Sequence, residues 1–242
     1  MAIFTVILPV YNESKRLDHV FNAVLEFSEC HPDYQFVFVD DGSTDSTANM
    51  LGNLINDHQS GQIQLVCLSV NCGKGSAIKS ALAHCTSEYV CFTDGDLAYS
   101  LDHLLPLAEA LKAHDVVIGS RNLAKTSQRN ISMTRRILGW GFNRLVRVIL
   151  QIPYDDTQAG LKGFRFNAAQ RLFDRLYLMN FSFDAELIFL ARKYQMRIDQ
   201  IPVHVSRFHS YKHSSLKLYW EPIWMFFDLI HIRFNSLRGR YD

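Results

Sequence analysis

The first half of the chain alternates short apolar runs with stretches of helical spacing. Ile3 to Leu8 is an apolar, β-rich run that Pro9 should stop, and Ser14 to Phe27 places Leu17, Val20, Phe21, Val24 and Leu25 on one helical face. Phe36 to Val39 predicts a second buried strand, running into Asp40-Asp41-Gly42-Ser43-Thr44-Asp45, where Thr44 or Asp45 can cap a helix to about Asn56. Ile63 to Leu68, Tyr89 to Thr93 and Val116 to Ile118 predict three more strands, with helices over Gly75 to Cys85 and Leu101 to Lys112 between them. Strands alternating with helices at these spacings imply an α/β fold, a mostly parallel sheet with helices on both faces.

That regularity stops near Arg121. From Ser132 to Ile152 the pattern is one long amphipathic helix, apolar at Ile137, Leu138, Trp140, Phe142, Leu145, Val146, Val148 and Ile149, with Arg135, Arg136, Arg144 and Arg147 interleaved. Asp156 to Phe166 reads as a polar, glycine-bearing loop leading into a short strand, Phe183 to Tyr194 as a helix and Ile198 to Val205 as a last strand. The stretch from Leu216 to Leu237 is rich in aromatics but interrupted by Asp228, His231 and Arg233. No repeat or linker divides the chain, so the expected organisation is one domain over 1–215 with an appended segment over 216–242.

Composition narrows the function classes. A net charge of +1 gives no global argument for nucleic acid, and the basic residues, which concentrate after position 120, are interleaved with large apolar ones. The five cysteines, at 30, 67, 72, 85 and 91, follow neither a metal-ligand spacing nor a disulfide framework; reduced, buried thiols of a cytosolic protein are expected. Met1 runs straight into a strand without a basic leader, so no signal peptide is expected. No apolar stretch approaches the length that crosses a bilayer, so if a membrane is involved the chain is expected to lie on it.

The candidate chemistry sits where strands end. Asp94 and Asp96 close the fourth strand, and side chains two apart in a turning backbone converge on one side. Two hard oxygen donors at the carboxyl end of a parallel sheet suit Mg2+ or Mn2+ bound to a diphosphate, although a lone Asp-x-Asp can equally be a solvated turn. Asp40 and Asp41 close the second strand in the same way and can accept hydrogen bonds from a base or a ribose, or simply form a tight turn. In Asn71-Cys72-Gly73-Lys74-Gly75, two glycines around a lysine would let backbone N–H groups and one cation approach an anion at a helix start; a plain strand-to-helix turn is the alternative.

Four ordered motifs, Pro9-Val10-Tyr11-Asn12-Glu13, Val39 to Asp45, Asn71 to Gly75 and Asp94-Gly95-Asp96, resemble the nucleotide-diphosphosugar transferases of glycosyltransferase family 2, with the GT-A (Rossmann-like) fold. The resemblance implies Pro9, Tyr11, Glu13 and Asp41 around the base, Asp40 and Lys74 nearby, and Asp94 and Asp96 on the metal and diphosphate. In the second half, Ile118 to Asn122, the basic helix bearing Arg135, Asp156 to Phe164 and Phe183-Asp184-Ala185-Glu186-Leu187 are similar to the dolichyl-phosphate mannose and glucose synthases and their bacterial polyprenyl-phosphate relatives. That likeness implies a nucleotide-sugar half over 1–122 and an acceptor half over 123–215, with Arg121 and Arg135 on the acceptor's phosphate and Gln158, Asp184 and Arg207 on the acceptor side. Ala98 departs from the pattern, standing where mannose synthases can offer the metal an oxygen, and Val205 to Ser215 lacks the glycine-serine-lysine run expected there. His204, His209 and His213 in that stretch read as loop histidines rather than a metal site.

The expected activity is inverting, metal-dependent transfer of a hexose from UDP-glucose or GDP-mannose to a polyprenyl phosphate at the cytoplasmic face of a membrane. A phosphate acceptor is already anionic and attacks the anomeric carbon without a strong base, so catalysis reduces to positioning and charge neutralisation. A saccharide-building transferase is the first alternative and would need a base, for which Asp184 or Asp156 is the candidate. A nucleotide-sugar-binding protein without turnover is the second. Under the lipid-acceptor reading, the helices over 132–152 and 216–237 become interfacial, seated at headgroup depth.

Overall fold

Strand β1 (Phe4–Val10) is apolar at all but one position and buried along nearly its whole length, as a strand covered on both faces requires. It pairs in parallel with β2 (Tyr34–Asp40) on one side and β4 (Tyr89–Phe92) on the other, and β3 (Ile63–Cys67) extends the sheet beyond β2. The computed structural model describes residues 3–124, 133–180, 182–206 and 221–242. Its seven-stranded sheet runs in the order β3-β2-β1-β4-β6-β5-β7, with β5 (Val116–Ser120), β6 (Lys162–Arg165) and β7 (Ile198–Pro202) completing it. β6 is antiparallel to both β4 and β5; every other pairing is parallel.

Side chains alternate between two cores. Ile7, Val37, Phe92 and Phe164 face α3 (Lys74–Leu82), α6 (Phe166–Asp174) and α7 (Phe183–Lys193), whereas Val6, Leu8, Phe38 and Val117 face α1 (Leu17–Cys30), α2 (Thr47–His58) and α4 (Leu104–Leu111). α5 (Met133–Leu150) and α8 (Glu221–Leu237) pack on each other, and Val146, Leu150, Leu229 and Ile232 join the first core.

Several boundaries differ from the sequence reading, each for a local reason. Pro9 lies inside β1, opposite Val39. It shares the flank of Ile7, where pairing with β4 ends at Phe92, so its missing N–H costs no ladder hydrogen bond. The helix over 101–112 opens as a 3-10 turn at Leu101–His103, because Pro106 has no N–H for the Asp102 carbonyl. α2 starts at Thr47, whose N–H and hydroxyl both donate to Asp45 Oδ1. α6 was not expected at all, since β6 passes into it at Phe166 without an intervening turn. β7 stops at Pro202, and Val205 makes only an isolated bridge to Tyr99. All five cysteines are free, but only Cys85 and Cys91 are buried; Cys30, Cys67 and Cys72 are exposed.

The chain's end is anchored. The Tyr241 hydroxyl donates to the buried Glu186 carboxylate, and Tyr194 donates to the Tyr241 carbonyl at 2.7 Å. The opposite face of α8 carries Trp224, Phe227, Ile230, Phe234 and Leu237 exposed to solvent.

Candidate active site

The parallel strands deliver their carboxyl ends to one edge of the sheet, and antiparallel β6 brings its beginning to the same edge. After β4 the chain turns through Leu97, in the left-handed region at φ 49°, whose N–H donates to the Asp94 carbonyl at 2.9 Å. This tight turn holds Asp94 and Asp96 at the strand end. Asp94 Oδ1 accepts from Lys74 Nζ at 2.7 Å, and Asp96 Oδ1 accepts from the Ala98 N–H at 3.2 Å. The Asp94 carboxylate also lies flat against Gly160, where a Cβ would come within 2.0 Å of Oδ2. Only glycine permits that approach.

Lys74 opens α3, and the loop before it is organised by Asp41. Asp41 Oδ1 and Oδ2 accept from the Cys72 and Gly73 N–H groups, both at 2.9 Å, and the Gly75 N–H donates to the Met179 carbonyl at 3.0 Å. The sequence reading gave these amides to an anion. The structure gives them to Asp41 and Met179, so the loop offers an anion the Lys74 ammonium instead. Burial opposes charge on Lys74, but Asp94 and Asp184 outweigh it and raise its pKa.

At the end of β2, Asp40 is buried; its Oδ2 accepts from the Ser43 N–H at 3.0 Å, while Oδ1 is a buried acceptor with no partner among the described residues. The β1 and β2 loops are clasped together, Asn12 Oδ1 accepting from the Thr44 N–H at 2.8 Å and the Glu13 N–H donating to Thr47 Oγ1 at 2.9 Å. Pro9, Tyr11, Glu13, Asp40, Asp41 and Lys74 thus share one rim, on which Tyr11 is exposed.

The other rim is built from ion pairs. Arg121, just past β5, donates from Nε to Asp156 Oδ2 at 2.7 Å, from Nη2 to Oδ1 at 2.8 Å and from its backbone N–H to Oδ2 at 2.9 Å. Burial would raise the Asp156 carboxyl, but the hydrogen bonds and charge of Arg121 prevail and hold it below the usual carboxylate range. Gln158 follows, its N–H donating to Asp156 at 3.3 Å and its Nε2 buried without a partner among the described residues. Asp184, in the first turn of α7, accepts from the buried Lys162 ammonium at 2.6 Å. Burial lowers the Lys162 pKa, and Asp184 only partly offsets it. Arg135 falls within α5 but its side chain lies outside the described residues, as do Arg207, His209 and His213 altogether.

Three neighbours escaped the sequence reading. The buried Tyr99 phenol lies among the charges of Arg121, Asp94 and Asp156, hydrogen-bonds the Gly160 backbone, and is pushed up to about 12 chiefly by burial. Its position three residues past Asp96 was the available signal. Lys162 and Gly160 are the others; both lie in the Asp156 to Phe164 motif, but no role was assigned to either.

Among the described residues no cluster of three or more His, Cys, Asp or Glu could hold a metal alone. Asp94 and Asp96 form a two-carboxylate set, and that donor chemistry fits Mg2+ or Mn2+ whose remaining positions are filled by diphosphate oxygens and water.

Comparison with known proteins agrees with this geometry. The sequence profile of glycosyl transferase family 2 matches residues 5–173. The chain is 30% identical over 248 residues to a dolichyl-phosphate beta-glucosyltransferase of Dictyostelium discoideum, covering 97% of this chain and 75% of that protein. It is also 30% identical over 251 residues to the Homo sapiens protein of the same name, covering 98% and 76%. Among solved structures, glucosyl-3-phosphoglycerate synthase from Mycobacterium tuberculosis in complex with UDP superposes with a TM-score of 0.68 at 17% identity, over 99% of this chain and 80% of that one. Its complex with Mn2+, UDP and glucosyl-3-phosphoglycerate gives 0.65 at 17% identity, with the same coverage. The paired carboxylates at the sheet edge, the profile match and the shared fold together make this chain a member of glycosyl transferase family 2, a glycosyltransferase with the GT-A fold.

Proposed function

We propose that the protein transfers glucose, with inversion, from UDP-glucose to a polyprenyl phosphate at a membrane surface, with Mg2+ or Mn2+ bound at Asp94 and Asp96. The observation that carries the acceptor class is the state of the two carboxylates that could serve as a base. Asp156 spends both oxygens on Arg121, and Asp184 accepts from a buried Lys162. An acceptor hydroxyl needs a carboxylate free to take its proton; an acceptor phosphate does not. The relatives named dolichyl-phosphate beta-glucosyltransferase support the same acceptor and favour glucose over mannose.

In this reading the two rims divide the work. Asp40, Asp41 and Tyr11 hold the nucleoside, and Lys74 supplies positive charge beside the diphosphate as the leaving group takes up negative charge. The metal, when bound, neutralises the same leaving group. The Mn2+ and UDP in the solved neighbour support that assignment. On the opposite side Arg121, oriented by Asp156 and with part of its side chain still open, draws the acceptor phosphate into line, with Arg135 as its partner on α5. Inversion follows from a single in-line displacement.

No helix of the described residues is long and apolar enough to cross a membrane. The exposed Trp224, Phe227, Phe234 and Leu237 of α8, together with Val148 of α5, suit a surface seated at headgroup depth, where the lipid acceptor would be met. Purified protein given UDP-glucose, Mn2+ and a short polyprenyl phosphate should form a lipid-linked glucose. Transfer only to an oligosaccharide, or to no lipid across a panel including GDP-mannose, would sink the proposal.

A further inference from the structure

Lys162 is a fully charged type of side chain buried to 1% in a sheet strand, and no step above uses it directly. A lysine is almost never fully buried unless its charge is paired. Its Nζ donates to Asp184 Oδ1 and to the Ala159 carbonyl, both at 2.6 Å. Ala159 precedes Gly160, the residue against which the Asp94 carboxylate lies. The other support of Asp94 is Lys74, whose Nζ meets Asp94 Oδ1 at 2.7 Å. The two ammoniums also share the Phe92 ring, Lys74 at 5.3 Å and Lys162 at 5.7 Å from its centroid.

We infer that Lys162 is a positioning residue that fixes the Asp94 carboxylate by bracing the loop behind it through Ala159. Neither contact of its ammonium reaches a substrate. Removing the ammonium frees the Ala159 carbonyl and lets Gly160 move away from Asp94. The effect should therefore appear as poorer binding of the group that Asp94 holds. This rests on the reading of Asp94 as a ligand of metal and diphosphate.

The test is calorimetric binding of UDP in the presence of Mn2+ to the full chain and its variants. Wild-type protein that fails to bind would defeat the functional reading itself, independently of Lys162. Given wild-type binding, folded Lys162→Met should bind about tenfold more weakly, the loss typical of a disturbed supporting shell. Wild-type affinity in that variant overturns the inference. Because a lone Asp184 charge can cost enough to prevent folding, the pair Lys162→Met/Asp184→Asn, which removes both charges, is compared with Asp184→Asn alone. Binding about tenfold weaker in the double variant supports the brace through Ala159. Equal affinity would mean that Lys162 only neutralises Asp184, and the inference fails.

Discussion

Arg121 and Asp156 meet as a two-pronged pair in which the Asp156 side chain is 1% exposed and the Arg121 side chain 31%. One partner is sealed in the protein while the other stays partly open, so the aspartate acts as a mount for the arginine. Asp156→Asn should lower stability by about 2 kcal/mol, the cost of losing hydrogen bonds to a charged group. Because the carboxyl lies below its usual value in the folded state, this contribution is present above the unfolded value near 3.9 and is lost as pH falls through the folded one. The melting-temperature gap between wild type and variant should be constant from about pH 5 to 8 and close below about pH 4. A gap that persists in acid would show that the charge is not its source.

Gly160→Ala tests the close approach to Asp94. A methyl group there would fall 2.0 Å from Oδ2, so either the carboxylate or the loop must move. The loop is held by Lys162 through the neighbouring carbonyl, which leaves the carboxylate to yield. We expect kcat/KM to fall about 100-fold, as for displacement of a reacting group by about an ångström, while circular dichroism is unchanged. Steady-state kinetics with UDP-glucose as the varied substrate reads this directly.

Asp94→Ala and Asp96→Ala should each abolish turnover and leave the fold intact, since Lys74 is partly open to water and can solvate its charge when Asp94 is lost. Dialysis against a chelator should have the same effect on the wild type, reversed by Mn2+. Near wild-type rates in either variant would remove the carboxylates from the mechanism.

Liposome cosedimentation checks the outer face of α8. Trp224→Glu with Phe227→Glu should release the protein from vesicles at unchanged melting temperature, because both side chains are exposed. Deleting 216–242 is the wrong experiment. It would also remove Leu229, Ile232 and Tyr241 from the core, so loss of binding could not be separated from loss of the fold.

The strands that end in the carboxylate pairs could be read from sequence because they are buried on both faces and appear as unbroken apolar runs that end abruptly in Asp40-Asp41 or Asp94-Gly95-Asp96. Pattern says nothing of strand direction, so the reversal of β6 was invisible: a fully buried strand looks alike either way. The roles of paired carboxylates were equally hidden. Asp40 and Asp41 are chemically identical and adjacent, yet one caps the loop before Lys74 and the other keeps an oxygen unpaired. Lys162 in a strand of four residues suggests an exposed edge, and its partner stands 22 positions on, a separation that only folding joins.

The placement of β6 also bears on the order in which the chain can fold. β1 to β4 can assemble as soon as residue 92 is available, but β5 has no partner among them, since among the described residues it pairs with β6 and β7. The outer edge of β4 stays uncovered until Lys162–Arg165 arrives between the two. An unpaired strand edge is a template for wrong association. Newly made chains are therefore most exposed to aggregation over the interval that ends at β6, and a fragment stopped at residue 122 would keep an open flank in place of a finished sheet.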